Sequence, residues 1–281
     1  MEQSSDKEKK KITEVKIFLV PFPLKENEKN LTFNTNNFSK LSKEKLINQA
    51  INFHLEGNIS EAAKYYQDCI NQGINEHRVF SNYGVILKNL GKLQEAAFLY
   101  RKAIELNPDF AMAHTNLGNI LRDLGNLQEA ELSTRKAIEL DPDFAMAHSN
   151  LGNILKDIGN LQEAELSTRK AIELNPNFAE AHNNLGSILS DLGNLQEAEL
   201  STRKAIELNP DLAVAYYLLS SIKYSNENQI WRDPLFSENI LNNKSKKDQI
   251  NIYFARSNIL HKEKKYEDSA RYLVLANKLK I

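Results

Sequence analysis

Apolar and polar positions recur with a period of 34 residues through the middle of the chain. Residues 111–144 and 145–178 differ at 5 of 34 positions, and residues 179–212 continue the series. More diverged copies occupy residues 77–110 and 43–76. A fixed period of this size is typical of small supersecondary units that stack on their neighbours, and it argues against a single globular core.

Each block predicts two helices, of which the first has a clear apolar side. In residues 111–144, positions 4, 7, 8 and 11 carry His114, Leu117, Gly118 and Leu121. At about 100° per residue these positions form one stripe, which a neighbouring helix would bury. The glycine allows two backbones to approach closely. We therefore expect the first helix of each block to bury this stripe and to expose the opposite side.

The helix ends are also marked in each block. Gly125, at position 15, suits the left-handed residue that follows a helix. Asn126 is then a predicted N-cap, and Glu129 three residues later would complete a capping-box pair. Pro142, at position 32, ends the second helix. The same residue types stand at these positions in the next two blocks, so the two-helix prediction holds for each of them.

Positions 2, 6, 9 and 13 fall on the side of the first helix opposite the buried stripe, which we call the first-helix face. An amide both donates and accepts hydrogen bonds, so a column of amides can pair with the backbone of an extended peptide. Aspartates there would select basic or hydroxyl-bearing side chains or simply form a solvated acidic surface, and methionines offer adaptable apolar contacts. The candidate binding residues are Asn48, Asn82, Asn116, Asn150 and Asn184 at position 6, Asn119 and Asn153 at position 9, Asp123, Asp157 and Asp191 at position 13, and Met112 and Met146 at position 2.

The motif L-G-x-x-L near the start of a block, Ala at positions 20 and 27 and Pro at position 32 resemble the tetratricopeptide repeat (TPR). The resemblance implies an all-α fold, a right-handed superhelix of antiparallel helix pairs. It places the TPR array at residues 43–226, with a partial sixth repeat from residue 213. In that family the first-helix face lines a concave groove, and such arrays act as non-catalytic scaffolds that bind a protein or an extended peptide.

Two interpretations of the position-6 asparagines remain open. They resemble the asparagine ladder that holds substrate polypeptides in the TPR superhelix of O-GlcNAc transferases, or asparagine is simply common at this position. Asn48 and Asn82 are the informative members, because the sequence around them has drifted. The column stops at Leu218. A carboxylate clamp of the chaperone-binding type is not expected, because position 6 has no basic residue and Arg78 is the only one at position 2.

The composition and charge of the chain limit the kinds of partner that it can bind. The formal net charge is −1, but residues 111–212 carry 8 Lys/Arg against 16 Asp/Glu, whereas residues 213–281 carry 12 against 7. An acidic array argues against nucleic acid as the ligand. The longest apolar stretch, residues 17–24, is too short to span a bilayer and contains two prolines. We therefore expect a cytoplasmic protein without a membrane partner, and exposed solenoid ends allow weak self-association as a third hypothesis.

The sequence predicts neither a reactive cysteine nor a histidine metal site. Cys69 occupies position 27, where the other blocks have alanine, so it is expected to be a packed residue. The recurring histidines, His114, His148 and His182, lie one to a repeat. Adjacent helices are about 8–10 Å apart, whereas zinc ligands lie about 2 Å from the ion, so these side chains cannot converge on one metal. We predict no metal and no cofactor.

Outside the array, residues 1–42 are predicted to be a largely disordered N-terminal segment, because charge dominates their first part. Residues 227–246 are predicted to be a linker with a short helix opened by Asp233 and Pro234, in which Trp231 and Phe236 cover the apolar end of the array. Residues 247–281 are predicted to form a degenerate TPR-like helix pair.

The C-terminal segment from Gln229 to Lys280 resembles the part of bacterial TPR–sulfotransferase fusion proteins that precedes the catalytic domain. The phosphate-binding loop of those domains, P-x-S-G-T/S-T, is not in this sequence. The alternative hypothesis is therefore a truncated or in-trans substrate-binding part of a sulfotransferase or, less favoured, of an O-GlcNAc-type glycosyltransferase. The polypeptide itself is not expected to be an enzyme.

Overall fold

A computed structural model describes residues 43–222 and 231–280. The predictions for residues 1–42, and the part of the predicted linker before Trp231, lie outside the described residues. The described residues form helices and turns, without strands, and helix pairs recur along the chain. The all-α, repeated helix-pair class predicted from the sequence is confirmed. The chain divides into two compact units, with the boundary between Leu124 and Gly125.

The first unit contains five described helices, in which α1 packs on α2, α2 on α3, α3 on α4 and α4 on α5. Short turns join them, so each helix meets mainly its neighbours in sequence, as stacked repeats require. The helices are α1 (Lys43–Leu55), α2 (Ile59–Asn71), α3 (His77–Asn89), α4 (Leu93–Leu106) and α5 (Ala111–Asp123).

The second unit continues the helix pairs and then departs from them. Each helix from α6 to α10 packs on the next, α9 also contacts α7 and α11, and α11 packs on α13, which pairs with α14. The helices are α6 (Leu127–Leu140), α7 (Ala145–Ile158), α8 (Leu161–Leu174), α9 (Ala179–Asp191), α10 (Leu195–Leu208), α11 (Ala213–Ser221), α12 (Arg232–Phe236), α13 (Lys246–Lys262) and α14 (Tyr266–Lys278), with a 3-10 helix at Glu238–Leu241 between α12 and α13.

The predicted helix ends are confirmed at the glycines and wrong at the asparagine caps. Gly159 has φ of 96°, in the left-handed region that a residue without Cβ adopts freely. Asn160 precedes α8, but its side chain caps no backbone N–H, and its Nδ2 instead donates to Glu163 Oε2 at 2.8 Å. Its ψ of 71° falls short of the extended conformation of a capping residue. Asn126 and Asn194 likewise make no side-chain cap.

The apolar stripe of the first helices is buried as predicted, except at position 4. Leu151, Gly152 and Leu155 of α7 are all buried, and a Cβ added to Gly152 would lie 2.0 Å from Thr168 Oγ1 of α8. His148 is only half-buried, and its Nε2 lies 2.8 Å from the carbonyl oxygen of Pro142. The position-4 histidines therefore fasten each first helix to the turn before it. No cluster of three metal-ligating side chains occurs in residues 43–222 and 231–280.

The segment after α11 is held by a buried arginine. Arg256 of α13 is only 4% exposed, and its guanidinium donates to the carbonyl oxygens of Leu235 and Ser237, each at 2.8 Å. Those carbonyls end α12, where a positive charge is favourable. The helix begins at Arg232 with Trp231 at the N-cap position, two residues earlier than the predicted start with Asp233 as N-cap and Pro234 as first residue. Trp231 is buried in the cluster formed by α10, α11 and α13, as expected for a residue that covers the array.

Two further sequence predictions can be compared with the described part of the chain. Cys69 is fully buried, and burial raises the pKa of its thiol to about 12, which opposes formation of the reactive thiolate. The prediction that it is a packed residue is confirmed. Among the described helices, none combines the length and the apolar character needed to cross a membrane.

Candidate functional site

The first-helix face is accessible in the second unit. On α7, Met146 is 40% exposed and Asp157 is exposed, while Asn150 and Asn153 are half-buried. On α9, Asn184 is half-buried and Asp191 is exposed. Amides therefore line the middle of this face, and carboxylates lie at its end.

The position-6 amides do not form a uniform column of free side chains. Asn184 Nδ2 donates to Ser149 Oγ of α7 at 3.0 Å. Asn150 Nδ2 is buried and has no hydrogen-bond partner. The bond to Ser149 fixes the orientation of the Asn184 amide, and among the described residues its Oδ1 accepts no hydrogen bond. The face of α9 thus presents a fixed acceptor, where the sequence predicted an amide free to donate and to accept.

In the first unit the position-6 residues differ from one another. Asn48 is exposed, and it borders a shallow cleft with Asn52 and Phe53 of α1. Asn82 is 1% exposed, and its Nδ2 donates to Tyr66 Oη at 3.2 Å. The prediction that Asn82 belongs to an accessible binding column is wrong, because the large Tyr66 at position 24 reaches it and buries it. Asn116, Asn119 and Met112 of α5 are half-buried, and Asp123 is exposed.

The carboxylates at position 13 are partly neutralised. Asp191 Oδ2 lies 3.2 Å from Lys156 Nζ of α7, and the aspartate side chain is 49% exposed. A pair this exposed contributes about 0–1 kcal/mol to stability, so Asp191 remains able to exchange Lys156 for a cation of a ligand. Asp157 is also exposed.

Sequence reasoning missed the polar residues at position 5, which lie beneath the position-6 amides. Ser81, Thr115, Ser149 and Asn183 are all buried. Ser149 and Asn184 are 35 residues apart, as are Lys156 and Asp191. Ser149, at position 5, therefore meets the position-6 residue of the next repeat. The signal in the sequence was a run of small polar residues at a position that a packed helix would normally fill with apolar ones.

Two members of this layer are unsatisfied, because Asn183 Oδ1 and Ser81 Oγ are buried without a hydrogen-bond partner. The residue 35 positions after Asn183 is Leu218, whose side chain packs on Leu185 and Ile222 and has no donor. An unsatisfied buried acceptor costs about 1–3 kcal/mol. Because leucine replaces asparagine at residue 218, the next repeat offers no side-chain donor to Asn183 Oδ1.

Replacing Asn183 by Thr is expected to raise the free energy of unfolding by about 1 kcal/mol. Thr115 at the same repeat position donates its Oγ1 hydrogen to the carbonyl of Ala111 at 3.0 Å, so a threonine at 183 has an acceptor in its own helix. Urea denaturation followed by circular dichroism measures the difference. The reciprocal Thr115→Asn change is the control and should destabilise; a destabilised Asn183→Thr protein would show that the orphan acceptor is not the limiting defect.

The comparisons with known proteins identify the repeat. The tetratricopeptide repeat family matches residues 111–144, 145–178 and 179–212, and a second TPR repeat family description matches residues 84–125. Residues 84–212 therefore carry tetratricopeptide repeats. No curated protein sequence matches the chain significantly.

Solved TPR structures share the fold. A tetratricopeptide repeat protein from Parabacteroides merdae aligns with a TM-score of 0.60 and 18% identity over 84% of this chain and 93% of its own. PilF of Pseudomonas aeruginosa aligns with a TM-score of 0.56 and 18% identity, over 72% of this chain and 91% of its own. MamA from Desulfovibrio magneticus, residues 41 to the end, aligns with a TM-score of 0.52 and 22% identity, over 60% of this chain and 96% of its own. At these identities the likeness establishes the fold only.

Proposed function

We propose that the TPR repeats bind an extended polypeptide on the first-helix face, mainly through its backbone. The observation that carries the proposal is the hydrogen bond from Asn184 to Ser149 Oγ at 3.0 Å, which holds the amide in one orientation. A fixed acceptor loses little rotamer freedom on binding, so it favours affinity more than a mobile side chain does. Repeated amides would pair with backbone groups whatever the ligand's side chains.

The charges of this face favour a basic segment. Asp157, Glu180 and Asp191 are exposed on α7 and α9, and Asp191 lies 3.2 Å from Lys156. Met146, which is 40% exposed, supplies an apolar contact that adapts its shape to varied side chains. The proposed ligand is therefore a polypeptide with lysine or arginine among small or apolar residues.

The double variant Asn150→Ala/Asn184→Ala tests the proposal. Peptides selected from a randomised display library on the wild-type protein would be titrated against both proteins by calorimetry. With two net hydrogen bonds of about 0.5–1.5 kcal/mol each, affinity should fall by about fivefold to a hundredfold. Stability should change much less, because alanine is the better helix former.

A matched control removes two amides from another surface. Asn194→Ala/Gln196→Ala alters exposed residues at the start of α10, and Asn194 makes no side-chain cap there. This variant should bind the selected peptides as the wild type does. Equal affinity of the Asn150/Asn184 variant and the wild type would leave asparagine at position 6 as an ordinary repeat residue and would remove the proposal.

The sequence also suggests an alternative, in which the repeats serve as the substrate-binding part of a transferase. The resemblance to TPR–sulfotransferase proteins, and the weaker one to O-GlcNAc transferases, rests on the sequence, and no contact among the described residues adds to it. The scaffold function is proposed as the leading one because exposed side chains of the first-helix face, such as Met146 and Asp191, support it. The cytoplasmic location likewise stays a prediction that rests on the sequence.

A further inference from the structure

Two arginines at position 25 link successive second helices in the second unit. Arg135 contacts Glu131 of its own helix at 2.8 Å and Glu163 of α8 at 2.6 Å. Arg169 makes the same two contacts, with Glu165 and Glu197. The second carboxylate always lies 28 residues after the arginine, at the start of the next second helix.

Arg203 is the last arginine of this series, and its second carboxylate is missing. The residue 28 positions later is Trp231. Arg203 keeps Glu199 through Nη2 at 2.6 Å, but its Nε is buried and has no hydrogen-bond partner. The Nε atoms of Arg135 and Arg169 donate to the glutamates of their own helices, at 2.9 and 2.8 Å, and their Nη2 atoms reach the next repeat. A buried N–H of a charged group without an acceptor is costly. Arg203 therefore lacks the inter-repeat carboxylate of its counterparts, and its Nε is unsatisfied as well.

A cleft of about 450 Å³ lies beside this arginine. Its walls are mainly apolar and include Ile206, Pro210, Tyr216, Trp231 and Pro234. In the repeats before it, the corresponding arginine is met by the first turn of a second helix, which carries leucine and glutamate two residues apart, as in Leu161 and Glu163. The cleft thus combines an apolar wall with an unsatisfied guanidinium, the two features that such a helical turn complements.

Local charge favours an anion in this cleft. Glu199 is the carboxylate of Arg203, and it also acts on Lys262, whose pKa is lowered by burial and partly restored by that carboxylate. Glu207, also in the wall, is paired with Lys204 at 2.7 Å. Glu199 is thus shared by two cations, Arg203 and Lys262. A ligand carboxylate beside Arg203 would supply the second acceptor that Arg135 and Arg169 have.

We propose that this cleft binds a helical segment of a partner protein, whose first turn places a leucine-like side chain on Trp231 and a glutamate on Arg203. The partner chemistry is opposite to that proposed for the first-helix face, where a basic segment is expected. The cleft is thus a second, acidic-peptide site, independent of the first. Its occupant imitates the second helix of a repeat.

Trp231 is the only tryptophan of the chain, so its fluorescence reports on the cleft directly. The probe is a blocked peptide with the sequence of residues 160–174, NLQEAELSTRKAIEL, titrated into the full chain. We expect a saturable emission change, and at least a tenfold weaker affinity for the same peptide with its first glutamate (Glu163) changed to glutamine. Arg203→Gln should weaken binding by a similar factor, measured by calorimetry because the substitution could alter the tryptophan signal itself.

Arg271→Gln is the control variant, since Arg271 is an exposed arginine of α14 with its own partners, Glu267 and Asp268. It should bind as the wild type does. The two-peptide comparison on the unmodified protein keeps the test valid even if Arg203→Gln fails to fold. No saturable binding at millimolar peptide, or equal affinity for the two peptides, would overturn the proposal. So would dimerisation of the protein alone that Arg203→Gln abolishes, because a second copy would then be the occupant.

Discussion

Replacing Arg256 by Met should lower the free energy of unfolding of the C-terminal helices by about 4 kcal/mol, since hydrogen bonds to charged groups contribute about 1.5–3 kcal/mol each. The buried guanidinium donates to Leu235 and Ser237 at 2.8 Å, and it lies 5.3 Å from the ring of Tyr272. Methionine keeps much of the volume but leaves both carbonyls without this donor. α12 and the 3-10 helix should therefore detach from α13 at low denaturant.

Trp231 fluorescence gives the measurement, because the residue is buried in the cluster that these helices cover. The midpoint of its emission change in urea should move well below the midpoint of the circular dichroism signal. Arg271→Met changes an exposed arginine on α14, and it should change the free energy of unfolding by no more than about 0.5 kcal/mol with either signal. An unchanged fluorescence midpoint in Arg256→Met would show that apolar packing alone holds the segment.

Gly152→Ala should lower the free energy of unfolding by about 3 kcal/mol, at the upper end of the usual cost of overpacking. The new Cβ would lie 2.0 Å from Thr168 Oγ1 and 3.1 Å from the carbonyl oxygen of Ala164. Thr168 is fully buried, and its hydroxyl donates to that same carbonyl at 2.8 Å, so it cannot turn away without losing a bond. The helices α7 and α8 would have to separate.

The double variant Gly152→Ala/Thr168→Ala tests this cause. Removing the threonine hydroxyl relieves the closest contact, so the double variant should recover most of the loss, and hydrogen exchange of the α7 and α8 amides should show the recovery locally. Thr168→Ala alone supplies the fourth corner of the cycle. Equal destabilisation of the single glycine variant and the double variant would mean that the backbone contact at Ala164, not the side chain, limits the approach.

The sequence was sufficient for the helix pairs because their signals are local and recur with the period. Gly159 ends α7 for a reason that concerns one residue, its positive φ. Asn82 was misjudged because its burial depends on Tyr66, which lies 16 residues away and belongs to another helix. Arg256 gave no signal, since a basic residue in a helix is ordinarily solvated, and only the tertiary structure brings the carbonyls of α12 to it.

For the candidate site, too, the sequence predicted what depends on local helix geometry and not what depends on contacts between helices. Which residues share the first-helix face follows from helical geometry, and their exposure in α7 and α9 agrees with it. The orientation of the Asn184 amide does not, because it depends on the residue 35 positions earlier. Asn184 meets a serine there, whereas Asn183 is followed at the same distance by Leu218.

The constant spacing of the inter-repeat ion pairs has an evolutionary consequence. Arg135 reaches Glu163 and Arg169 reaches Glu197, each 28 residues further along nearly identical blocks. Unequal recombination between the gene segments that encode such blocks would add or remove a whole block and regenerate every one of these pairs. The number of repeats can therefore vary among descendants without any new contact having to be selected, and the amount of binding surface becomes a trait that changes in single genetic steps.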